Sequence, residues 1–375
     1  MKKLCILHAL ADGRLGGPGV RIVRVHSVLR RQLGEDFETV VACPELEPPD
    51  YFSRLGVRHV MVEWSKPQQE RPFVTGVAWL ARVLCVDLRK AIRVMRAVKP
   101  TVVHVNGAIL MAPVIAGLVC RKGVVWHFND VTVPKLYAWL SSMIVRVCGI
   151  NPVAASEAVI KYYRLPINTR VIYPPAGFIR QGVKKPSGRR AVVGVMANLN
   201  PSKGVDEAIK AFAVLRDKGV NAHLVIAGRA LKNKSWYYLE LLEMVRGLKL
   251  EETVRFVGFV RDPGAWYGSI DVLAFFSRAE AAPLAVIEAM ACGIPVVASD
   301  IPATREVLGG CGILCRRGNI KEMADAMERI LSGSALRKEM ILAGLSRARK
   351  TFHPEIIGHK YIELYSGMGN RCASR

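Results

Sequence analysis

Short apolar runs of strand length alternate with helical patterns along the whole chain, and this alternation leaves few folds open. In the first half such runs lie at Leu4–His8, Thr39–Cys43, Val57–Val62, Thr101–Val105, Gly123–His127, Pro152–Ala155 and Arg170–Tyr173. Helical patterns separate most of them, the longest from about Phe73 to Val98. Strand, helix and strand in succession build a doubly wound parallel sheet. The pattern stops in the basic, Pro- and Gly-bearing segment Gly182–Arg190, which reads as a domain boundary. A second series follows, with strands at Ala191–Met196, His223–Ala227, Val254–Val257, Asp271–Phe276, Ile294–Ala298 and Gly312–Cys315. Its helices fall at about 203–218, 235–248, 284–291 and 319–331. With 375 residues, two domains of ordinary size are expected, one over 1–182 and one over 188–350.

Composition removes several classes. Hydrophobic residues make up 51% without any low-complexity tract, so the chain is globular. The longest apolar run, Ile109 to Cys120, has 12 residues, too few to span a bilayer. The start, Met1-Lys2-Lys3-Leu4-Cys5-Ile6-Leu7, reads as a first strand rather than a signal peptide, and a cytosolic address is expected. Nine scattered cysteines without a C-x-x-C pair indicate neither a disulfide framework nor a zinc site. Charge is uneven: residues 1–190 carry 29 Lys+Arg against 12 Asp+Glu, a net of +17, while 191–375 carry 25 against 19, a net of +6. From Arg71 to Arg146 the basic residues face only Asp87 and Asp130 and are interleaved with Trp79, Trp126, Tyr137 and Trp139. That mixture suits an anionic membrane surface; nucleic acid or a plain solvated basic face gives the same sign of charge.

The stretch from Ser277 to Leu308 concentrates the chemistry. Pro283 fits the first position of a helix running to Ala291 and ending at Gly293. Glu280 then sits in the loop at a strand's carboxyl end and Glu288 in the second helical turn. A strand end beside a helix N-terminus suits a phosphate, leaving the carboxylates for hydroxyl groups. Taken alone, Glu280 reads better as a helix cap and Glu288 as a solvated residue; context must lift them. Lys203, in Asn198-Leu199-Asn200-Pro201-Ser202-Lys203-Gly204, is placed to set a charge on a diphosphate or to lie idle at the surface. In the first half, Gly13-Arg14-Leu15-Gly16-Gly17-Pro18-Gly19 opens a helix and lets backbone approach a ligand, but it is not G-x-G-x-x-G. His127 ends its strand and is a site candidate; His104 lies inside its run and reads as a core residue or a second candidate.

With these residues in place, the second half resembles the donor domain of the retaining glycosyltransferases of family 4, the glycosyl transferases of group 1. The matching blocks are Asn200-Pro201-Ser202-Lys203-Gly204 with Asp206, Val225-Ile226-Ala227-Gly228, Val254-Arg255-Phe256-Val257-Gly258, and Glu280 to Glu288 followed by Ala289 to Asp300 and Glu306. Gly16-Gly17, His127 and Val171-Ile172-Tyr173-Pro174-Pro175 carry a looser likeness in the first half. The resemblance implies the GT-B fold, two Rossmann-like doubly wound domains facing a central cleft, with a terminal helix over about 354–370 crossing back onto the first. It implies transfer of a sugar from a UDP- or GDP-sugar to a glycan or lipid-linked acceptor with retention, and no metal or other cofactor. Glu288 would hold ribose hydroxyls, Lys203 the diphosphate and Glu280 the sugar. Gly16 and Gly17 would admit the phosphates, His127 would assist from across the cleft, and Asn198, Pro283 and Leu284 would complete the donor site. Three departures stand out: Ala197-Asn198 replaces a frequent Gly-Arg, Pro283 removes a backbone donor, and Asn106 stands where a second histidine is frequent. A catalytically idle relative acting as a binding protein, and a basic nucleic-acid-binding protein, are the competing readings.

Overall fold

The computed structural model describes residues 3–14, 16–46, 50–66, 74–179, 190–230 and 235–373. Of the expected boundary segment, residues 182–189 lie outside these, as does Phe73. The chain divides into two compact units, Met1–Pro175 with Pro354–Arg375, and Ala176–His353.

In the first unit the strands are β1 (Leu4–Leu10), β2 (Phe37–Cys43), β3 (Arg58–Met61), β4 (Val102–Asn106), β5 (Gly123–Phe128), β6 (Asn151–Ala154) and β7 (Arg170–Val171). They pair in parallel in the order β3-β2-β1-β4-β5-β6-β7, with β4 central, β1 next to it and Ile6 beside Val102. Near-continuous apolar sequence follows from burial on both faces. The intervening helices are α1 (Gly17–Leu33), α2 (Val74–Arg82), α3 (Leu88–Val98), α4 (Met111–Val119), α5 (Lys135–Val147) and α6 (Glu157–Tyr163). Helix α1 starts where the glycine loop ends, with Pro18 in its first turn, where a missing N–H leaves no gap. The single helix expected up to Val98 is instead broken by a π-helical turn, Val83–Asp87. This wider turn points Val83 and Asp87 both inward, and the buried Asp87 carboxylate accepts the Ser65 N–H at 2.8 Å. The basic and aromatic residues of this region also part company: Trp79, Trp126 and Tyr137 are core residues, and Trp139 alone of the four rings is exposed.

The second unit repeats the plan with β8 (Ala191–Met196), α7 (Val205–Asp217), β9 (Ala222–Ala227), α8 (Ser235–Gly247), β10 (Val254–Gly258), α9 (Pro263–Ser269), β11 (Val272–Phe275), α10 (Leu284–Ala291), β12 (Val296–Ser299), α11 (Pro302–Leu308), β13 (Ile313–Cys315), α12 (Ile320–Ser332) and α13 (Ser334–Thr351). Strand order is β10-β9-β8-β11-β12-β13, all parallel. Pro283 is not the first helical residue but the cap before it: its φ of -71° and ψ of 97° are extended, and its carbonyl accepts from Val286 and Ile287. Helix α13 packs on α10, where Gly344 leaves room for Met290.

The last helix, α14 (Pro354–Ala373), belongs to the first unit and lies on α1. Ile357, Tyr361, Leu364 and Tyr365 are buried against Ile6, Val28, Val102 and Val125. Burial of Ile357 and Leu364 stabilises by about 2 kcal/mol each, and Arg31 and Gln32 hold Glu355 at the helix start. Among the described residues no helix is long and apolar enough to cross a membrane.

Two glycines contrast in what they are for. Gly204 has φ +62°, and a Cβ there would lie 1.9 Å from the Phe276 carbonyl oxygen, so the β8 and β11 loops touch only because it is glycine. Gly17 sits at the start of α1, and a Cβ there would meet nothing within 4 Å. Gly204→Ala is therefore expected to lower the unfolding free energy by at least about 2 kcal/mol, and Gly17→Ala to leave it unchanged or raise it by about 0.5 kcal/mol. Urea titrations of the two variants check this.

Candidate active site

Parallel strands deliver their carboxyl-end loops to one edge, and in the second unit that edge gathers the candidates. After β8, Asn200 caps a short 3-10 turn by accepting the Ser202 N–H, so that Lys203 projects just before α7. After β11, the loop carries Ser277 and Glu280. Lys203 Nζ lies 2.6 Å from Glu280 Oε1, and Ser277 donates to the same oxygen at 2.7 Å. Lysine and glutamate are thus brought together across 77 residues of sequence and remain partly accessible, at 27% and 12% of their side-chain surface. The two loops are further joined by Arg278 N–H donating to the Ser202 carbonyl at 2.8 Å.

Glu288, on α10, is buried and accepts the Tyr267 hydroxyl at 3.0 Å through Oε2. Leu284 is half-buried at the start of the same helix, Pro283 is buried beside it, and Asn198 is exposed after β8. Asp206, a block residue, belongs to a clamp: Arg278 pairs with Asp206 at 2.7 Å and Glu207 at 3.1 Å, and the Tyr237 hydroxyl donates to Asp206 at 2.7 Å. The sequence reading passed over Ser277, Arg278, Tyr237 and Tyr267. Ser277 and Arg278 sit within three residues of Glu280, at a strand end where polar residues gather; the tyrosines have no local signal.

In the first unit Gly16 is the extended N-cap of α1, its carbonyl accepting from Val20, and Gly17 follows it. One turn on, Arg21 is 4% exposed. Its guanidinium donates to the ring of His127 at the end of β5, 2.8 Å from Nδ1, and to Asn106 Oδ1. His127 itself has no exposed surface. His104, also fully buried, stacks on it at 5.3 Å between ring centres and meets the Tyr365 hydroxyl of α14 through Nδ1 at 2.7 Å. His8 lies 4.7 Å from the His104 ring. Arginine can only donate, so the His127 nitrogen facing it must be an unprotonated acceptor. Burial, and then the Arg21 charge, holds His127 well below the usual imidazole range; burial and the neighbouring His8 do the same for His104, and His8 is pushed down to about 3 by burial and Arg21. Asn106, where a second histidine was the commoner residue, serves as an acceptor for Arg21. Among the described residues no group of three or more His, Cys, Asp or Glu side chains is placed to hold a metal ion.

Two parallel α/β units with such loops define a GT-B protein. The solved structure of Anabaena HepE in complex with UDP-glucose matches over 97% of this chain and 100% of that one, with a TM-score of 0.80 and 20% identity. Residues 178–347, a little under half of the chain, match the family described as glycosyl transferases group 1. The lipopolysaccharide core biosynthesis mannosyltransferase LpsB of Rhizobium meliloti (strain 1021) is 27% identical over 255 residues, 64% of this chain and 72% of LpsB. The phosphatidyl-myo-inositol mannosyltransferase of Mycobacterium leprae (strain TN) is 33% identical over 170 residues, so the chain spans 43% of that relative's length, and 44% of its own is matched.

The buried imidazoles make stability depend on pH. Folded, they refuse a proton that the unfolded chain takes up near pH 6.5. Each therefore contributes stability that is present above about pH 6.5 and is lost as pH falls toward its lowered folded value, at about 1.4 kcal/mol per pH unit. Urea unfolding is expected to cost several kcal/mol less at about pH 5 than at about pH 7, and His8→Gln should flatten that slope. Equal unfolding free energies at both pH values would mean that the imidazoles charge in place.

Proposed function

We propose that this protein transfers a sugar of the hexose class from a nucleoside-diphosphate sugar to an acceptor hydroxyl, with retention of anomeric configuration. The observation that carries this reading is the Lys203–Glu280 pair, held at two strand ends of the group 1 segment. A bound diphosphate draws Lys203 off Glu280, and the freed carboxylate takes up sugar hydroxyls. Glu288, already fixed by Tyr267, takes the ribose, with Asn198, Pro283 and Leu284 around the nucleotide. UDP is the first candidate because HepE is solved with UDP-glucose; a GDP-sugar is the second.

The chemistry follows from a leaving group that starts doubly charged. The bond from the anomeric carbon to the diphosphate breaks, the acceptor oxygen bonds to the same face, and the acceptor proton passes to the departing phosphate oxygen. Lys203 and the N–H groups opening α10 stabilise the developing charge, so we assign no metal or other cofactor to the step. Gly16 and Gly17 admit phosphate oxygens to backbone, and His127, the catalytic candidate of the first unit, has no exposed surface while Arg21 holds it, so it reaches a substrate only once that contact opens. A glycan or lipid-linked acceptor is supported by LpsB, named for lipopolysaccharide core synthesis, and by the mycobacterial relative, named for phosphatidyl-myo-inositol.

A thermal-shift panel of UDP, GDP and their sugars, followed by turnover of any hit, tests the assignment, because a ligand that binds only the folded state raises the melting temperature. Lys203→Ala is expected to weaken nucleotide binding about tenfold or more. Glu280→Gln should keep the nucleotide shift while turnover falls about a hundredfold. A shift with no transfer or hydrolysis from any donor would favour a binding protein, and no shift with any nucleotide would sink the assignment.

A further inference from the structure

Helix α5 is built inside out. Its inward face carries Ser141 and Ser142, 0% and 2% exposed, with Tyr137, Ala138 and Val145. Its outward face carries Leu136, Trp139, Met143 and Val147, a stripe at helical spacing that is 44%, 58%, 38% and 78% exposed. An ordinary surface helix turns such a stripe toward the core. Here Ser141 satisfies its hydroxyl on the Tyr137 and Ala138 carbonyls, so the inward face holds its polar groups without a partner from the sheet, while the apolar stripe lies outside.

Topology enlarges the patch. The crossovers from β3 to β4, β4 to β5 and β5 to β6 all run in one direction across the sheet, so right-handedness puts α2 to α5 on the same side. The Trp79 and Tyr137 rings, 4.9 Å apart, join α2 to α5 directly. On this side Leu84 and Val119 are exposed too, at 47% and 64%. Arg89, Arg93 and Arg96 are exposed on α3, and Lys135 and Arg146 flank the α5 stripe. The acids of the stretch do not offset them: Asp87 is buried with Ser65, and Asp130 accepts from Thr132 within its own loop.

We propose that this face of the first unit, centred on Leu136, Trp139, Met143 and Val147, docks on an anionic lipid bilayer. Apolar side chains enter the acyl boundary, the tryptophan ring sits at headgroup level, and the arginines meet lipid phosphates. The one-sided charge selects a bilayer over a second copy of the chain, since two copies of a face this basic repel. The proposal concerns where the protein sits and stands apart from the donor chemistry; with a lipid-linked acceptor it brings enzyme and acceptor together.

Co-sedimentation of the full chain with vesicles of phosphatidylglycerol and phosphatidylcholine, against phosphatidylcholine alone, tests this without donor or acceptor. Binding to the anionic vesicles only, weakened by salt, is expected. Arg93→Gln with Arg96→Gln should lower partitioning about twentyfold or more, at about fivefold per cation, and Trp139→Ser with Val147→Ser about tenfold or more. Trp236→Ser with Leu239→Ser on α8, equally exposed but in the other unit, should change nothing. Melting temperature and nucleotide-induced shift, measured on every variant, certify the fold. No binding to anionic vesicles, or binding that survives the α5 change, would overturn the proposal, as would a dimer in solution that the α5 change dissolves.

Discussion

Everything in this molecule depends on the requirement that neighbouring parallel strands be joined by a crossover. Because each strand must restart at the same edge, each connection is a helix that returns the chain, and all carboxyl-end loops gather at the opposite edge. In the second unit this single constraint brings Lys203 to Glu280 although 77 residues separate them. In the first it sets Gly16, Gly17 and His127 at the ends of β1 and β5, and sorts the helices, with α1 and α14 on one side of the sheet and α2 to α5 on the other. Both sides are closed by apolar contact, α14 on one and α2 to α5 on the other, and the α5 stripe lies on the outer surface of the second layer.

The first unit also buries a cation that no carboxylate among the described residues pairs with. Arg21 is buried, and its partners are His127 and Asn106 rather than a carboxylate. A guanidinium in that setting is tolerable only if the ring facing it stays neutral and accepts from it; burial first, and then the Arg21 charge, keeps His127 uncharged. The arrangement places Arg21 one turn into α1, and its N–H groups face His127 as an acceptor. The imidazole is therefore an acceptor first; whatever it does in a reaction begins from that state.

How much of this was legible in the sequence can be followed residue by residue. The thirteen strands among the described residues all announced themselves as apolar runs; in central strands such as β4 and β12 burial on both faces leaves this local signature, while the edge strand β3 shows it without being buried. Lys203, Glu280 and Glu288 were legible as motif residues, yet the pairing of the first two was not, since it depends on how two loops touch over Gly204. The π-helical turn at Val83–Asp87 was invisible because the Ser65 N–H that its buried Asp87 accepts lies outside the helix. Arg278 was passed over for the same reason: an arginine in a loop reads as a surface charge until Asp206 and Glu207 are seen to hold it.

Periodicity raises a subtler difficulty at α5. A stripe such as Leu136, Trp139, Met143 and Val147 has the spacing of a core-facing surface, and spacing alone cannot say which side of a helix the sheet covers. The neighbours decide. Tyr137 meets Trp79 on the inside, and the small Ser141 and Ser142 fit under it where larger side chains would push the helix away. With Tyr137 against Trp79 on the inside, the more apolar stripe lies outward, and the exposed arginines of α3 lie on the same side of the sheet. Charge and hydrophobicity that composition reports separately act here as one feature, because the crossovers place them on the same side of one sheet.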